Sequence, residues 1–378
     1  MSRRKIIFGA VVLVLVTFLA TSAGFLYLMN AWSSDVVSTL RVLRALHVVQ
    51  SRYVEDVPVD TLIAGSIKGM VNSLNDPHSV YMDPKMFKEF MIETEGSFGG
   101  VGIVIGTKDK QLTVVAPIEG TPGEQAGIKS GDQIIKIDGQ ETKDLALDEA
   151  VNKIRGPEGS KVVLTIKRAQ EVKDYTLTRS NIQIKTVAGK LLDDNIGYIR
   201  ISMFNENTGN DFVRKLQELE KQGMKALVLD LRDNPGGLLD ESVKVAGQLV
   251  PKGPVVSVVT RDGRRETHSS SLDQPKYPVA VLVNGGSASA SEIVAGAIQD
   301  TEVGTLIGTK TYGKGSVQTV IRLDEGSAIK LTIAKYLTPK DRAINGVGIE
   351  PNIKVELPET KDKDTQLEKA LEVLKSKL

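Results

Sequence analysis

Two short segments carry residue types at spacings suited to acyl-transfer chemistry. In Asn284-Gly285-Gly286-Ser287-Ala288-Ser289-Ala290-Ser291-Glu292, three serines follow the apolar run Val279-Ala280-Val281-Leu282-Val283 and precede a helix expected over 291–299. A serine at such a strand-to-helix turn is exposed at a sheet edge, beside helix N-terminal N–H groups that can stabilise an oxyanion. The same letters also fit a capping box, because Ser289-Ala290-Ser291-Glu292 reads S-x-x-E, which serves only to start a helix. The second segment is Thr311-Tyr312-Gly313-Lys314-Gly315-Ser316-Val317-Gln318. A lysine between glycines is not placed for a solvated face. In an extended strand, Gln318 would project to the side of Lys314 and could orient its ammonium. A lysine base must be neutral, and lowering its pKa from ~10.4 to ~7 takes ~4.6 kcal/mol, which burial away from carboxylates can supply. A phosphate-binding lysine is excluded, because residues 308–315 do not complete G-x-x-x-x-G-K-[ST].

A third segment binds rather than reacts. Residues 116–132 followed by Ile134-Ile135-Lys136-Ile137-Asp138-Gly139 resemble the PDZ pattern S-P-A-x-x-A-G-I-x-x-G-D-x-I-x-x-I-x-G, and the resemblance spans residues 96–168. Gly127 and Gly131 permit tight turns, and Asp138-Gly139 is a hairpin signal. The run Gly99-Gly100-Val101-Gly102-Ile103 looks like the loop whose backbone N–H groups hold a peptide's terminal carboxylate, with the peptide added as an extra strand. The resemblance thus assigns peptide binding to Gly100, Val101, Gly102 and Ile103.

Residues 284–300 and 308–318 together are similar to the carboxyl-terminal processing peptidases of the Ser–Lys type. Further matches are Asp76-Pro77-His78-Ser79, Asp230-Leu231-Arg232-Asp233-Asn234-Pro235-Gly236-Gly237 and Gly346-Val347-Gly348-Ile349-Glu350-Pro351, so the likeness runs from about Val36 to the C-terminus. The family's serine precedes its lysine by 25 positions and its glutamine follows by four, an offset to Lys314 that only Ser289 has. The resemblance therefore implies Ser289 as nucleophile, Lys314 as base and Gln318 as its orienting partner. It also implies oxyanion donors at Ala290 and at either Gly236 or Gly237. Pro235 and Lys340-Asp341 depart from the family pattern without touching that set, and no appended peptidoglycan-type module is expected.

Stepping outward, residues 6–29 form an uncharged, mostly apolar stretch behind Ser2-Arg3-Arg4-Lys5. Its ~36 Å length as a helix suits a bilayer core of ~30 Å. A single-pass membrane anchor is expected, with the catalytic part outside the cytoplasm, or a secreted chain if the segment is a cleaved signal peptide. Helices follow over 35–53 and 59–74. Glycine-separated β runs start at 96, and from Ile196 strands and helices alternate as in an α/β layered domain. The fold class is α+β / α/β multidomain: N-terminal helices, an inserted PDZ domain and a crotonase/ClpP-like layered α/β core. The expected division is 1–30 anchor, 31–95 helical region, 96–170 PDZ domain and 171–378 peptidase core. The tail from Asp364 places Leu367, Ala370, Leu371, Leu374 and Leu378 on one helix face, which docks onto the domain or serves a homodimer contact.

Composition narrows the alternatives. Cysteine is absent, which removes disulfides and thiolate nucleophiles, and the three histidines, His47, His78 and His268, form no H-x-x-x-H pair, so no metal or other cofactor is expected. A net charge of +1 and a single Trp give no footprint for nucleic acid. A trypsin-like site would need Gly-Asn-Ser-Gly-Gly, which is absent. A crotonase-type acyltransferase leaves the PDZ block unexplained. A non-catalytic PDZ scaffold leaves the serine and lysine segments unexplained. The expected partners are protein substrates with free C-terminal tails.

Overall fold

No proline interrupts the chain before Pro58, and it begins as one long helix, α1 (Arg3–Arg52). The helix expected over 35–53 is the C-terminal part of α1. After Pro58 comes α2 (Val59–Asn72), close to the expected 59–74. The computed structural model describes residues 3–108, 110–143, 145–324, 326–357 and 363–378, and the chain divides into two compact units, one ending at Tyr81 and one starting at Met82. Among the described residues, no helix is long and apolar enough to cross a membrane. This overturns the single-pass membrane anchor expected over residues 6–29. The basic patch Ser2-Arg3-Arg4-Lys5 lies outside the described side chains.

A short strand, β1 (Val80–Met82), leads to α3 (Pro84–Glu95). Helix α3 starts where the Asp83 carboxylate accepts the Met86 N–H at 2.8 Å and stops at Gly96, whose φ of 68° is left-handed. Next come β2 (Ser97–Gly100), β3 (Ile103–Lys108), β4 (Gln111–Pro117), the short helix α4 (Pro122–Gln125), β5 (Gln133–Ile137), β6 (Gln140–Glu141), α5 (Leu147–Ile154), β7 (Lys161–Arg168), β8 (Glu171–Thr178) and β9 (Ser180–Gln183). The order β3-β4-β5-β7-β8 leaves β3 at an edge, and β2 pairs with β9 where the chain enters and leaves this block. Asp138 and Gly139 both have positive φ, as a two-residue I′ hairpin turn requires. The sheet runs on through Thr178 because β8 pairs along its whole length with β7. Ile134, Ile137, Val162, Leu164 and Ile166 fill a core of its own.

The remaining chain alternates β10 (Val187–Leu191), β11 (Ile196–Ile201), α6 (Thr208–Lys221), β12 (Ala226–Asp230), α7 (Leu239–Ala246), β13 (Gly253–Thr260), β14 (Arg265–Ser270), β15 (Val279–Val283), α8 (Ala290–Asp300), β16 (Gly304–Gly308), β17 (Ser316–Arg322), β18 (Ala328–Leu337), β19 (Ile353–Lys354) and α9 (Thr365–Lys375). The main sheet runs β10-β11-β12-β15-β16-β19, parallel from β11 onward. Both its faces are buried, which is why β12 and β15 read as unbroken apolar runs. Leu227 and Leu229 face the cluster with α6, α7 and α8, while Ala226 and Val228 face Ala370 and Leu374 of α9. The tail helix therefore docks on its own sheet, and the face proposed for a dimer is occupied within the chain; Leu378 alone of that face is exposed. A second, antiparallel set, β17-β18-β13-β14, lies behind α8 and carries Tyr336 into the same core.

Candidate active site

Strand β15 delivers the chain to Ser289 at the mouth of α8, and the backbone there is strained. Ser289 has φ 54° and ψ −114°. An ordinary N-cap residue sits in the β region, so capping alone does not require this conformation, which costs on the order of 1–3 kcal/mol and recurs at functional sites. Capping-box geometry is nonetheless present, with the Glu292 carboxylate accepting the Ser289 N–H at 2.9 Å.

The three serines separate cleanly. Ser287 is buried, and its hydroxyl donates to the Leu231 carbonyl at 2.8 Å. Ser291 is buried and donates to the Asn234 carbonyl at 3.0 Å. Ser289 is half-buried and lines a cavity of about 550 Å³ that Ala290, Gly236, Gly237, Lys314 and Gln318 also line. No histidine lines it. In the Asp76-Pro77-His78-Ser79 segment, the Ser79 hydroxyl donates to Asp76 Oδ2 at 2.6 Å within its own turn. Among the described residues, no group of three His, Asp or Glu could hold a metal ion.

The glycine turn resolves into two different amides. The Gly236 N–H donates to Asn234 Oδ1 at 2.9 Å, so that donor is engaged. Gly237 is exposed, and among the described residues neither its N–H nor that of Ala290, at the first position of α8, has an acceptor in the protein. Close approach forces glycine at both positions. A Cβ on Gly236 would stand 2.7 Å from Ser289 Cβ and 2.9 Å from the Ala290 nitrogen, and one on Gly237 would meet the Phe204 oxygen at 2.1 Å.

Gln318 reaches the site by a different route from the one its spacing suggests. Lys314 precedes β17, and a register shift falls between Val317 and Gln318, so the two are not residues i and i+4 of one regular strand. Both still line the cavity. Gln318 Nε2 donates to Ser316 Oγ at 2.9 Å and Thr332 Oγ1 at 3.2 Å.

Several further side chains organise the site. Glu292 is fully buried, and its Oε2 accepts from the N–H groups of both Ser289 and Lys314, while Oε1 accepts from Thr311 Oγ1 at 2.6 Å and the Gly313 N–H at 2.8 Å. Asn284 joins the serine turn to the glycine turn, donating to Asp233 Oδ1 at 2.8 Å and accepting the Asp233 N–H at 2.9 Å. Behind the glycine turn, buried Arg232 pairs with Asp230 at 2.7 Å and with Asp364 at 2.8 Å. Only Glu292 could have been flagged, through its place in the capping box.

In the upstream block, β3 presents an unpaired edge, and α5 packs near it. Gly100 ends β2, Val101 is buried, Gly102 is left-handed at φ 69°, and Ile103 opens β3. The loop carbonyls are held from behind, Val101 O by the Gly123 N–H at 2.7 Å and Gly102 O by the Ile118 N–H at 2.8 Å.

Comparison with known proteins agrees with this architecture. Residues 195–355 match peptidase family S41, residues 113–168 match the PDZ domain, and residues 22–86 match the N-terminal domain of the activating protease CtpB. The chain is 40% identical over 319 residues to the carboxy-terminal processing protease CtpA of Bacillus subtilis (strain 168), covering 84% of this chain and 68% of that one. It is 43% identical over 322 residues to a carboxy-terminal-processing protease of Bartonella bacilliformis, covering 82% and 73%. A solved photosystem II D1 C-terminal processing protease superposes with a TM-score of 0.51 at 32% identity, over 89% of this chain and 96% of the other. The chain belongs to the carboxyl-terminal processing serine proteases of peptidase family S41.

Proposed function

We propose that this protease cleaves proteins by Ser–Lys acyl transfer, selecting them by a free C-terminal tail bound to its PDZ block. The neutral Lys314 amine takes the Ser289 Oγ proton as Oγ attacks the scissile carbonyl carbon. The resulting ammonium then protonates the departing amine, leaving an acyl-enzyme that water hydrolyses by the same proton path reversed. Gln318 orients the amine. The oxyanion is received by the Ala290 and Gly237 amides, because the Gly236 amide is already spent on Asn234. The tail adds along the free edge of β3, with its carboxylate at the N–H groups of the Gly100-to-Ile103 loop. In the division we propose, the block from residue 96 through strand β8 binds and the chain after it cuts.

One observation carries the reading: of three neighbouring serines, only Ser289 opens onto the cavity that Lys314 and the two unengaged amides share. A PDZ scaffold without catalysis has no use for that cavity. To test the assignment, Ser289→Ala, Ser287→Ala and Ser291→Ala are compared on an unstructured protein with a free tail, alongside labelling by a serine-directed phosphonate. Ser289→Ala is expected to lose at least ~10³-fold in kcat and all labelling while melting normally. The two flanking variants lose stability, about 1 kcal/mol for each buried hydrogen bond, and keep cleavage. Full activity in Ser289→Ala would sink the assignment.

A further inference from the structure

Tyr336 is buried at the back of the cavity, on β18, with its own N–H bonded to the Gly315 oxygen at 3.0 Å. Its hydroxyl lies 3.0 Å from the carbonyl oxygen of Ser289 and 2.5 Å from that of Lys314. Two carbonyl oxygens this close to one point repel each other unless a proton sits between them. Glu292 mirrors the arrangement on the donor side, where one carboxylate oxygen takes the N–H of Ser289 at 2.9 Å and of Lys314 at 2.8 Å. Residues 25 positions apart in sequence are thus gripped at both backbone polar groups by the same two buried side chains.

We propose that Tyr336 is a positioning residue for the reaction, its hydroxyl fixing the Ser289 turn against the Lys314 loop so that Oγ and the amine meet at transfer distance. This rests on the Ser–Lys reading above. A phenol does this work only while protonated. Burial, with the Glu292 carboxylate adding to it, holds the Tyr336 pKa well above the usual value, so the donor survives through the alkaline range in which a lysine base becomes neutral. Removing the hydroxyl leaves the ring packing intact and the two carbonyls without their shared donor. The resulting drift of the two chain segments acts on chemistry rather than on substrate capture, and misplacement by about 1 Å is enough to cost ~10²-fold.

The test compares Tyr336→Phe with the parent chain for kcat, KM, melting temperature and rate of phosphonate labelling at Ser289. The expected result is kcat lower by roughly 10- to 100-fold, labelling slower in step, and KM within about 2-fold. A tyrosine that only satisfies buried carbonyls would lower the melting temperature and leave the kcat of the folded fraction unchanged, and that result overturns the proposal. If Tyr336→Phe does not fold, 4-aminophenylalanine and 4-methylphenylalanine placed at 336 decide. Both keep the ring and a substituent of similar size, but only the amino group can donate to the two carbonyls, so kcat should stay near the parent's with the first and fall with the second; equal kcat in the two overturns the proposal. Ser289→Ala run in parallel separates the two ideas. An active Ser289→Ala overturns the Ser–Lys reading itself, whereas a dead Ser289→Ala beside a fully active Tyr336→Phe overturns only the role of Tyr336.

Discussion

Around Ser289, position is enforced by buried polar side chains with named partners: Glu292 takes four donors, Asn234 and Asn284 tie the turns together, and Tyr336 bridges two carbonyls. Along β3 the recognition surface is main chain, an unpaired edge and a loop in which Gly102 has no room for a Cβ beside Thr121. On the proposed reading, the first region holds the reacting atoms and tolerates little change, whereas the second would read a feature common to every chain, its terminal carboxylate, and leave selectivity to a few side chains. Damage to the first should therefore appear in kcat and damage to the second in apparent affinity.

The largest expected effect that sharpens this contrast is at Lys314. Lys314→Arg keeps the charge and most of the reach, yet a guanidinium cannot give up its proton usefully near neutral pH. Cleavage should fall at least ~10³-fold with tail binding unchanged, measured by single-turnover cleavage beside peptide titration. In the parent chain the rate should rise along an alkaline limb set by the lysine. Gln318→Ala should lose less, because in the proposed mechanism Gln318 would orient the amine and transfer nothing. An active Lys314→Arg would remove the base from the mechanism.

A smaller effect is expected in the other region. One substrate offered with a free and with an amidated C-terminus differs only in the charge that the Gly100-to-Ile103 loop would hold. Well below saturation, amidation should slow cleavage by roughly 10-fold, about 1.4 kcal/mol, with single-turnover rates at saturation unchanged. Equal rates at low concentration would mean that the edge of β3 does not read the tail, and the comparison between the two regions would collapse.

How far the sequence could anticipate this architecture depended on whether a role is written in local spacing. Ser289, Lys314 and Gln318 stand out by residue type and glycine flanks, and β12 and β15 by their apolar runs. The choice between Gly236 and Gly237 does not, because it turns on which amide the Asn234 side chain captures, and that is set by the fold of the turn. Tyr336 lies in β18 beyond the alternating Ile329-Lys330-Leu331-Thr332-Ile333, and its partners, the Ser289 and Lys314 carbonyls, are far away in sequence; β14 of the same sheet reads Arg265-Glu266-Thr267-His268-Ser269-Ser270, with no apolar alternation. Such strands are specified by their neighbours rather than by their own pattern. At the N-terminus, apolar composition suggests a membrane span followed by a separate helix over 35–53, whereas the structure has one continuous helix, Arg3–Arg52, and no membrane-crossing helix among the described residues.

The smallest expected effect separates the framework behind the site from the site itself. Each region has an aspartate gripped by an arginine: Asp132 with Arg168 at 2.7 Å in the PDZ block, and Asp364 with Arg232 at 2.8 Å behind the glycine turn. Burial opposes ionisation in both, but the arginine hydrogen bonds outweigh it and hold both carboxyls below their usual range. A depressed folded-state pKa means stability that is fully present above the unfolded value of ~3.9 and lost as pH falls through the folded value. Neither pair should therefore matter to the pH profile of cleavage between pH 5 and 8, where the lysine limb alone should govern. Asp364→Asn should lower the melting temperature at pH 7 by roughly 2–4 °C, the equivalent of about 1 kcal/mol after allowing for the solvent that still reaches this carboxylate. That difference should shrink at pH 3, where the parent chain is losing the same charge. Melting curves of the two chains at pH 7, 5 and 3 check this; asparagine keeps the capping bond to the Leu367 N–H, at 3.0 Å in the parent, so a gap that stays constant with pH would show that the charge pair with Arg232 is not what stabilises.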